Sequence, residues 1–414
     1  MTIRNIDKNF RIFALVFFLV SVIISIYYFT RIYQPWGTCW TDFTVFHRAG
    51  QRIAKAEAIY DLSDTAEYGI DVYKYSPAFA YFMVPFTKLH MHKSVSIWYA
   101  LIILLTLASL YFIKQLLIYY NRGEKLPKYF YFVTLFLILR FYLNMISRVQ
   151  ADFLVLFFLS LMFWLLHSKK EVFAGLSLAT AVMIKLTPLI FIPYLIYRRF
   201  YKAAFASIVC GAGYLLIPAF GLGWNENIAY IKGWFNMLSV STPDLMLWYK
   251  NQSLASCIFR MFSNDSRVSL IVLPPQVINI IFFLLASLMV FFVLYSCRKL
   301  IIKEGKDFAY GHLLESSLII ICMVLFSPLA WKHTFLHLVV PVMVIFYYML
   351  KNKKDHLAKY ALAVFFILTS VLSPDILKSY NEIVSLYSTI TWAVIILFIC
   401  LIRAACKLSR QNAA

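Results

Sequence analysis

Eighteen consecutive residues, Ile12 to Phe29, pass without one charged side chain. A helix of about 20 apolar residues is what a hydrocarbon core about 30 Å thick requires. Comparable stretches recur near 76–89, 93–113, 129–145, 150–166, 172–197, 203–220, 277–297, 312–328, 334–350, 357–373 and 384–402. Inside a bilayer the backbone must satisfy its own hydrogen bonds, which leaves helices or a closed barrel. No alternating pattern of barrel strands is present. The expected fold is therefore an all-α polytopic membrane protein of about twelve transmembrane helices. Of the 414 residues 62% are hydrophobic and only 14% charged, more apolar than a soluble domain of this size.

Arg4, Lys8 and Arg11 precede the first apolar stretch, as in a signal sequence. The stretch is too long for that role, and no small-residue cleavage site follows it. An uncleaved first helix with a cytoplasmic N-terminus is expected. The net charge of +20 points to lipid rather than nucleic acid, because the bases crowd into short loops. Examples are Arg198, Arg199 and Lys202; Arg298, Lys299, Lys303 and Lys306; and Lys351, Lys353, Lys354 and Lys359. Such clusters set topology beside anionic headgroups. Seven cysteines are scattered without CxxC or metal-ligand spacing. Cys39 and Cys257 both fall in segments expected outside the cytoplasm, though spacing alone says nothing of their proximity.

Two long regions, 31–75 and 222–275, do not span. Two topologies compete for the first half. In one, 76–89 crosses and 172–197 is a single helix. In the other, 76–89 re-enters and 172–197 is a hairpin broken near Lys185-Leu186-Thr187-Pro188. The positive-inside count favours the second. In both, 31–75, 222–275 and the turn at 329–333 share the non-cytoplasmic face, and both termini are cytoplasmic.

Chemistry is sought on that shared face. Segment 31–75 holds six of the nineteen acids: Asp42, Glu57, Asp61, Asp64, Glu67 and Asp71. Asp61 reads as a turn residue and Asp64 as a helix cap. Asp42 is nearest the bilayer, among Trp36, Trp40, Phe43 and Phe46; apolar surroundings would raise its pKa toward that of a general base. The plainer reading pairs it with His47 or Arg48. Tyr73-Lys74-Tyr75-Ser76-Pro77 suits the start of a membrane segment, its aromatics serving as an interfacial belt or as sugar contacts. Asn251-Gln252-Ser253-Leu254 with Arg260 reads as polar ligands or as a capped surface helix. Ser327-Pro328-Leu329-Ala330-Trp331-Lys332-His333, with His337 one turn on, lies at the outer end of a helix pair. Lys185 marks a helix break or a snorkelling lysine, and Arg148-Val149-Gln150-Ala151-Asp152 a loop ion pair.

An outward carboxylate, cations near the lipid boundary and aromatic faces suit transfer of a sugar from a lipid-linked phosphate. The base takes a proton from an acceptor hydroxyl, and cations or a histidine stabilise the departing phosphate. A transporter or flippase of a lipid-linked sugar is the alternative, but it calls for facing broken helices and internal repeats. Only Lys185 offers such a break, and no repeat is found. A non-catalytic scaffold of envelope assembly is a third reading.

Taken in order, these pieces resemble the GT-C superfamily of membrane glycosyltransferases, most closely glycosyltransferase family 87, the DUF2029 group that includes polyprenol-phosphate-mannose-dependent mannosyltransferases. They are Asp42-Phe43 with Ala49-Gly50, Ile59-Tyr60-Asp61, Tyr73-x-Tyr75-Ser76-Pro77, Gly175 leading to Lys185-Leu186-Thr187-Pro188, Asn251-Gln252-Ser253-Leu254 with Arg260, and Ser327-Pro328 with Trp331-x-His333. The resemblance implies a single integral membrane domain over 1–414. It would comprise a GT-C-like module at 12–220 that includes loop 31–75, a second loop at 222–275, and C-terminal helices at 277–402. It implies Asp42 as the catalytic base of an inverting transfer and His333 near the donor phosphate. Lys332, Arg260 and Lys185 are the further candidates for the donor phosphate, and Tyr75, Asn251, Gln252, Trp331 and His47 for the substrate. The expected partners are a polyprenyl-phosphate sugar donor, usually mannose, a glycolipid, glycan or protein acceptor, and the bilayer of a bacterial cytoplasmic membrane. No cofactor is expected; Asp42 has no second acid in an Asp-x-Asp pair, so metal dependence falls to a chelator assay. The chain departs from its relatives in three places, one of them Lys332 after Trp331, a position often polar or acidic elsewhere. Many carry glycine at or beside Ala56 and Glu57, and a Gly-Gln-x-Asn motif where this chain has Arg148-Val149-Gln150-Ala151-Asp152.

Overall fold

The computed structural model describes residues 7–32, 42–64, 72–120, 123–240, 245–264, 267–299, 306–377 and 381–413, all without a β-strand. Trp36, Cys39, Trp40, Glu67 and Asp71 lie outside the described residues. Seven described helices are long and apolar enough to cross a membrane: Lys8–Arg31, Met91–Tyr120, Lys128–Arg148, Tyr201–Leu222, Pro275–Arg298, Lys332–Lys351 and Thr389–Leu408. The remaining expected spans are shorter pieces. Asp152–His167 has 16 residues, about 24 Å of helix, and Pro77–Thr87 has 11. The stretch expected over 172–197 is broken. The Glu171–Ile184 helix ends at an extended Lys185, and a Thr187–Ile190 turn of 3₁₀-helix leads into Phe191–Tyr197. Pro188 in that turn explains the break, since it has no amide for the Ile184 carbonyl and its ring would clash with that carbonyl in a continuing helix.

The chain forms two compact units, one of Arg11–Phe112 and Leu143–Pro243, the other of Asp7–Phe10, Ile113–Tyr142 and Asp244–Ala414. In the first, the Glu171–Ile184 helix packs against both Asp152–His167 and Tyr201–Leu222. Lipid tails give apolar helices no hydrophobic reason to associate, so close backbone approach at small residues supplies the contact. Gly175 is that residue. A Cβ on it would stand 2.7 Å from Ala206 Cβ and 2.9 Å from the Ser207 nitrogen. Gly50 serves the crossing of Asp42–Ala54 with Pro77–Thr87, where a Cβ would meet Met83 and Thr87 at 3.0 Å. In the second unit, Lys306–Leu325, Val339–Lys351, His356–Phe366 and Thr389–Ala413 pack together, burying Leu314, Leu318, Val344, Phe365 and Leu397.

Helix ends are sealed in one recurrent way. At Ala56 and at Val149 the next two amides bond back across the last helical turn: Ala56 to Ile53 and Glu57 to Arg52, Val149 to Ile146 and Gln150 to Met145. This motif needs a left-handed residue, ordinarily glycine. Ala56 holds φ 57° and Val149 φ 51°, at about 1–2 kcal/mol each. Ala56 is exposed, so Ala56→Gly should raise stability by about 0.5–1 kcal/mol. Gly175→Leu should lower it by about 1–3 kcal/mol or more. Thermal unfolding in one detergent reads both signs.

Candidate active site

Asp42 is the first residue of the Asp42–Ala54 helix, where a carboxylate is favoured by the helix dipole. Phe43, Val45, Phe46, Ala49 and Ile53 form the buried face of that helix, and the rings of Phe46 and Phe79 meet edge-on at 5.4 Å, an ordinary spacing for an aromatic pair. The carboxylate is met from elsewhere in the chain. Gln150 donates from Nε2 to Asp42 Oδ2 at 2.8 Å. Gln150 Oε1 in turn accepts from the Tyr75 hydroxyl at 3.0 Å and from the Ala151 amide at 3.1 Å. Trp98 donates from Nε1 to the Gln150 carbonyl at 3.2 Å.

The Tyr73-Lys74-Tyr75-Ser76-Pro77 motif ties this junction together. Tyr73 donates to the Ser76 carbonyl and Tyr60 to that of Tyr75, each at 2.8 Å. Burial pushes both the Tyr60 and Tyr73 phenols far up, so they stay protonated donors. Trp234 donates to the Lys74 carbonyl at 3.0 Å. Ser76 caps the Pro77–Thr87 helix by accepting from Phe79 N, and its hydroxyl also reaches the Met183 carbonyl just before the helix break. Tyr75 therefore takes a fixed position rather than that of a loose interfacial ring.

Lys185 neither snorkels nor carries an unmet charge toward a phosphate. Its ammonium bonds both Asp152 oxygens at 2.8 Å, with the carboxylate fully buried and the lysine side chain 18% exposed. The same ammonium stands 5.9 Å from the Tyr75 ring centroid. The acid of the 148–152 segment thus pairs with the distant Lys185, and Arg148 is exposed. The break at Lys185 and the start of the Asp152–His167 helix are locked by one ion pair.

His47 is 5% exposed, and burial lowers its pKa, with a bond to the Phe86 backbone opposing, so it stays neutral. Its ring packs on Phe43 at 6.1 Å, which makes it a core residue where a substrate contact was expected. Arg48 and Arg52 converge on Asp64 at 3.1 and 2.8 Å; Asp64 anchors two arginines. Asp61 holds its turn as expected, accepting from Ser63 N and Oγ at 2.9 and 2.7 Å.

In the other unit the polar motif is buried and already occupied. Asn251 donates to the Pro328 and Leu245 carbonyls at 2.9 and 3.3 Å, and its oxygen accepts from Ala330 N and Ser253 N at 3.0 and 3.2 Å. Both amide protons and both lone pairs of its side chain are in use. Gln252 donates to the Tyr249 and Ser385 carbonyls at 2.8 Å. Arg260, 0% exposed, reaches Leu386 O at 3.1 Å, Trp248 O at 2.9 Å, and Ser256 Oγ and Ser388 Oγ at 2.6 Å. On this geometry Asn251 clips the 245–252 loop to 328–330, while Gln252 and Arg260 tie it to 385–388, so all three side chains serve the protein's own loops. A capped helix was foreseen, and Ser253 does cap Leu254–Phe262, but it is a buried helix.

What the clip presents is aromatic and basic. Trp248 and Trp331 meet edge to face at 5.2 Å, and Lys250 Nζ lies 4.6 Å from the Trp248 ring centroid, a cation–π contact. Trp331 and Lys332 are half-buried at the start of the Lys332–Leu338 turn. His333 follows, 5% exposed. His337 bonds the Thr334 carbonyl through Nδ1 at 2.7 Å, so that nitrogen carries a proton. Among the described residues no group of three or more His, Cys, Asp or Glu side chains gathers to hold a metal ion.

Sequence reasoning missed Gln150 and Asp152 as parts of the Asp42 and Lys185 environments, and Lys250 beside Trp248. The signal for the first two was the 148–152 segment itself, whose partners lie 108 and 33 residues away.

Because it breaks a buried pair, Asp152→Asn should cost about 2–3 kcal/mol, at or below the usual range since Lys185 is partly exposed. Lys185→Met added to it should recover most of that loss. A double-mutant cycle on thermal unfolding checks the pairing.

No curated protein and no solved structure matches the chain. The sequence model of glycosyltransferase family 87 matches residues 73–328. That stretch runs from Tyr73 through Gln150, Lys185 and the Asn251 clip to Pro328, and covers more than half of the sequence. Asp42 lies before it, and Trp331, Lys332 and His333 lie just beyond. The chain belongs to glycosyltransferase family 87.

Proposed function

We propose that this glycosyltransferase moves a sugar, most readily mannose, from a polyprenyl phosphate to a hydroxyl of a glycolipid, glycan or protein. The reading places this at the extracytoplasmic face of a bacterial cytoplasmic membrane, in a GT-C architecture whose twelve spans include the shorter apolar helices. The observation that carries it is the Asp42 carboxylate, held by a neutral amide at the head of the first described helix after the N-terminal span.

The chemistry needs one base. Asp42 takes the proton of the acceptor hydroxyl as its oxygen attacks the anomeric carbon. The bond from that carbon to the phosphate oxygen breaks on the opposite face, so configuration inverts, and the polyprenyl phosphate leaves with the bonding pair. Negative charge develops on that phosphate, and donors placed for it lower the barrier. His333 and Lys332 are proposed for this task, and Trp331 with Trp248 for stacking on a sugar ring. Lys185, paired with Asp152, acts in this reading through the position of Tyr75. The substrates reach the protein through the bilayer, which agrees with the seven long apolar helices.

The test is purified protein with a panel of radiolabelled polyprenyl phosphate sugars and host lipid extract, with and without excess chelator. Transfer from the mannose donor, undiminished by chelator, is expected. Transfer from nucleotide sugars alone would contradict the donor assignment. His333→Ala should lower the rate about 100-fold or more, the scale of losing one donor to a developing anion. An unchanged rate would remove it from the site.

A further inference from the structure

We propose that Gln150 is the positioning residue of the Asp42 base. The inference rests on Asp42 acting as that base and goes further, to what sets its orientation and strength.

A glutamine amide can face either way, and here its orientation is determined. Tyr75 Oη–H and Ala151 N–H both donate to one atom, which must be the carbonyl oxygen Oε1. The NH₂ end then points to Asp42 Oδ2 at 2.8 Å and fixes the rotation of the carboxylate. The backbone beneath is held with equal care. Gln150 follows Val149, a buried β-branched residue in the left-handed region, a conformation that persists only when its surroundings enforce it. The Trp98 indole anchors the Gln150 carbonyl.

The choice of an amide matters chemically. A cation at this place would hold the carboxylate so firmly ionised that it would accept a proton poorly. Charged hydrogen bonds are roughly twice as strong as neutral ones. The amide aligns the carboxylate and stabilises its ionised form only moderately. Lys185, on the same network, keeps its charge on Asp152. Other titratable groups around the junction include the phenols Tyr60, Tyr73 and Tyr75, the neutral His47, and Arg48 with its partner Asp64.

The experiment compares wild type, Gln150→Leu, the isosteric Gln150→Glu, and Asp42→Asn, measuring kcat and donor KM against pH with polyprenyl phosphate mannose. Gln150→Leu should lose about 10- to 100-fold in kcat, as for a misplaced reacting group, with donor KM within about 3-fold. Its acid limb should move to higher pH. Gln150→Glu should move it further, because two adjoining carboxylates resist joint ionisation. If Asp42→Asn is inactive while both Gln150 variants keep the wild-type kcat and pH profile, the positioning role is overturned. If Asp42→Asn keeps the wild-type rate, the base assignment itself fails. An infrared titration of the carboxyl band lost in Asp42→Asn needs no substrate. Its midpoint should rise in Gln150→Leu, and an unmoved midpoint overturns the proposal independently of turnover.

Discussion

Hydrocarbon offers no hydrogen bonds, so every backbone group freed by a helix break must find its partner inside the protein. In this chain the breaks and the polar side chains occur together for that reason. The Lys128–Arg148 helix stops at Val149, the Glu171–Ile184 helix at Lys185, and the Pro77–Thr87 helix begins at Ser76. Gln150, Asp152, Lys185, Tyr75 and Ser76 close those ends upon one another. At the junction the broken helix ends satisfy one another, and the Gln150 amide joins the Asp42 carboxylate to it.

The second unit meets the same constraint with a different result. The N–H groups of Asn251, Gln252 and Arg260 are taken up by oxygens of three segments, at 245–256, at 328 and at 385–388. Their chemistry is that of ligands, which is why sequence reasoning placed them at the substrate. Residue type cannot tell an arginine that meets a phosphate from one that meets four protein oxygens; only the loops' proximity can. Lys185 is a similar case, since its partner Asp152 lies 33 residues upstream. Asp42 was singled out by place, a carboxylate just past an apolar span, and it stands at the head of a helix with the Gln150 amide on its carboxylate. The break at Lys185-Leu186-Thr187-Pro188 was legible because proline has a local effect.

Two of the departures from the family pattern acquire a physical meaning. Ala56 and Val149 both stand at left-handed helix ends where glycine is the unstrained choice. The sequence motif records a backbone requirement, and this chain meets it with strained residues held by neighbours. Asp152 supplies the charge that answers Lys185. The fold requirement survives these changes because the hydrogen-bond partners remain in position. The span count was less legible, since pieces such as Asp152–His167 are apolar yet short.

The central claim is that the Asp42 carboxylate removes a proton during glycosyl transfer. Chemical rescue tests it most directly: the transfer rate of purified Asp42→Ala is measured with and without added formate, at matched thermal stability. The account predicts loss of transfer in the variant and partial recovery that rises with formate concentration, because a small carboxylate fills the vacated place. An Asp42→Ala protein that transfers sugar at the wild-type rate without formate would contradict it.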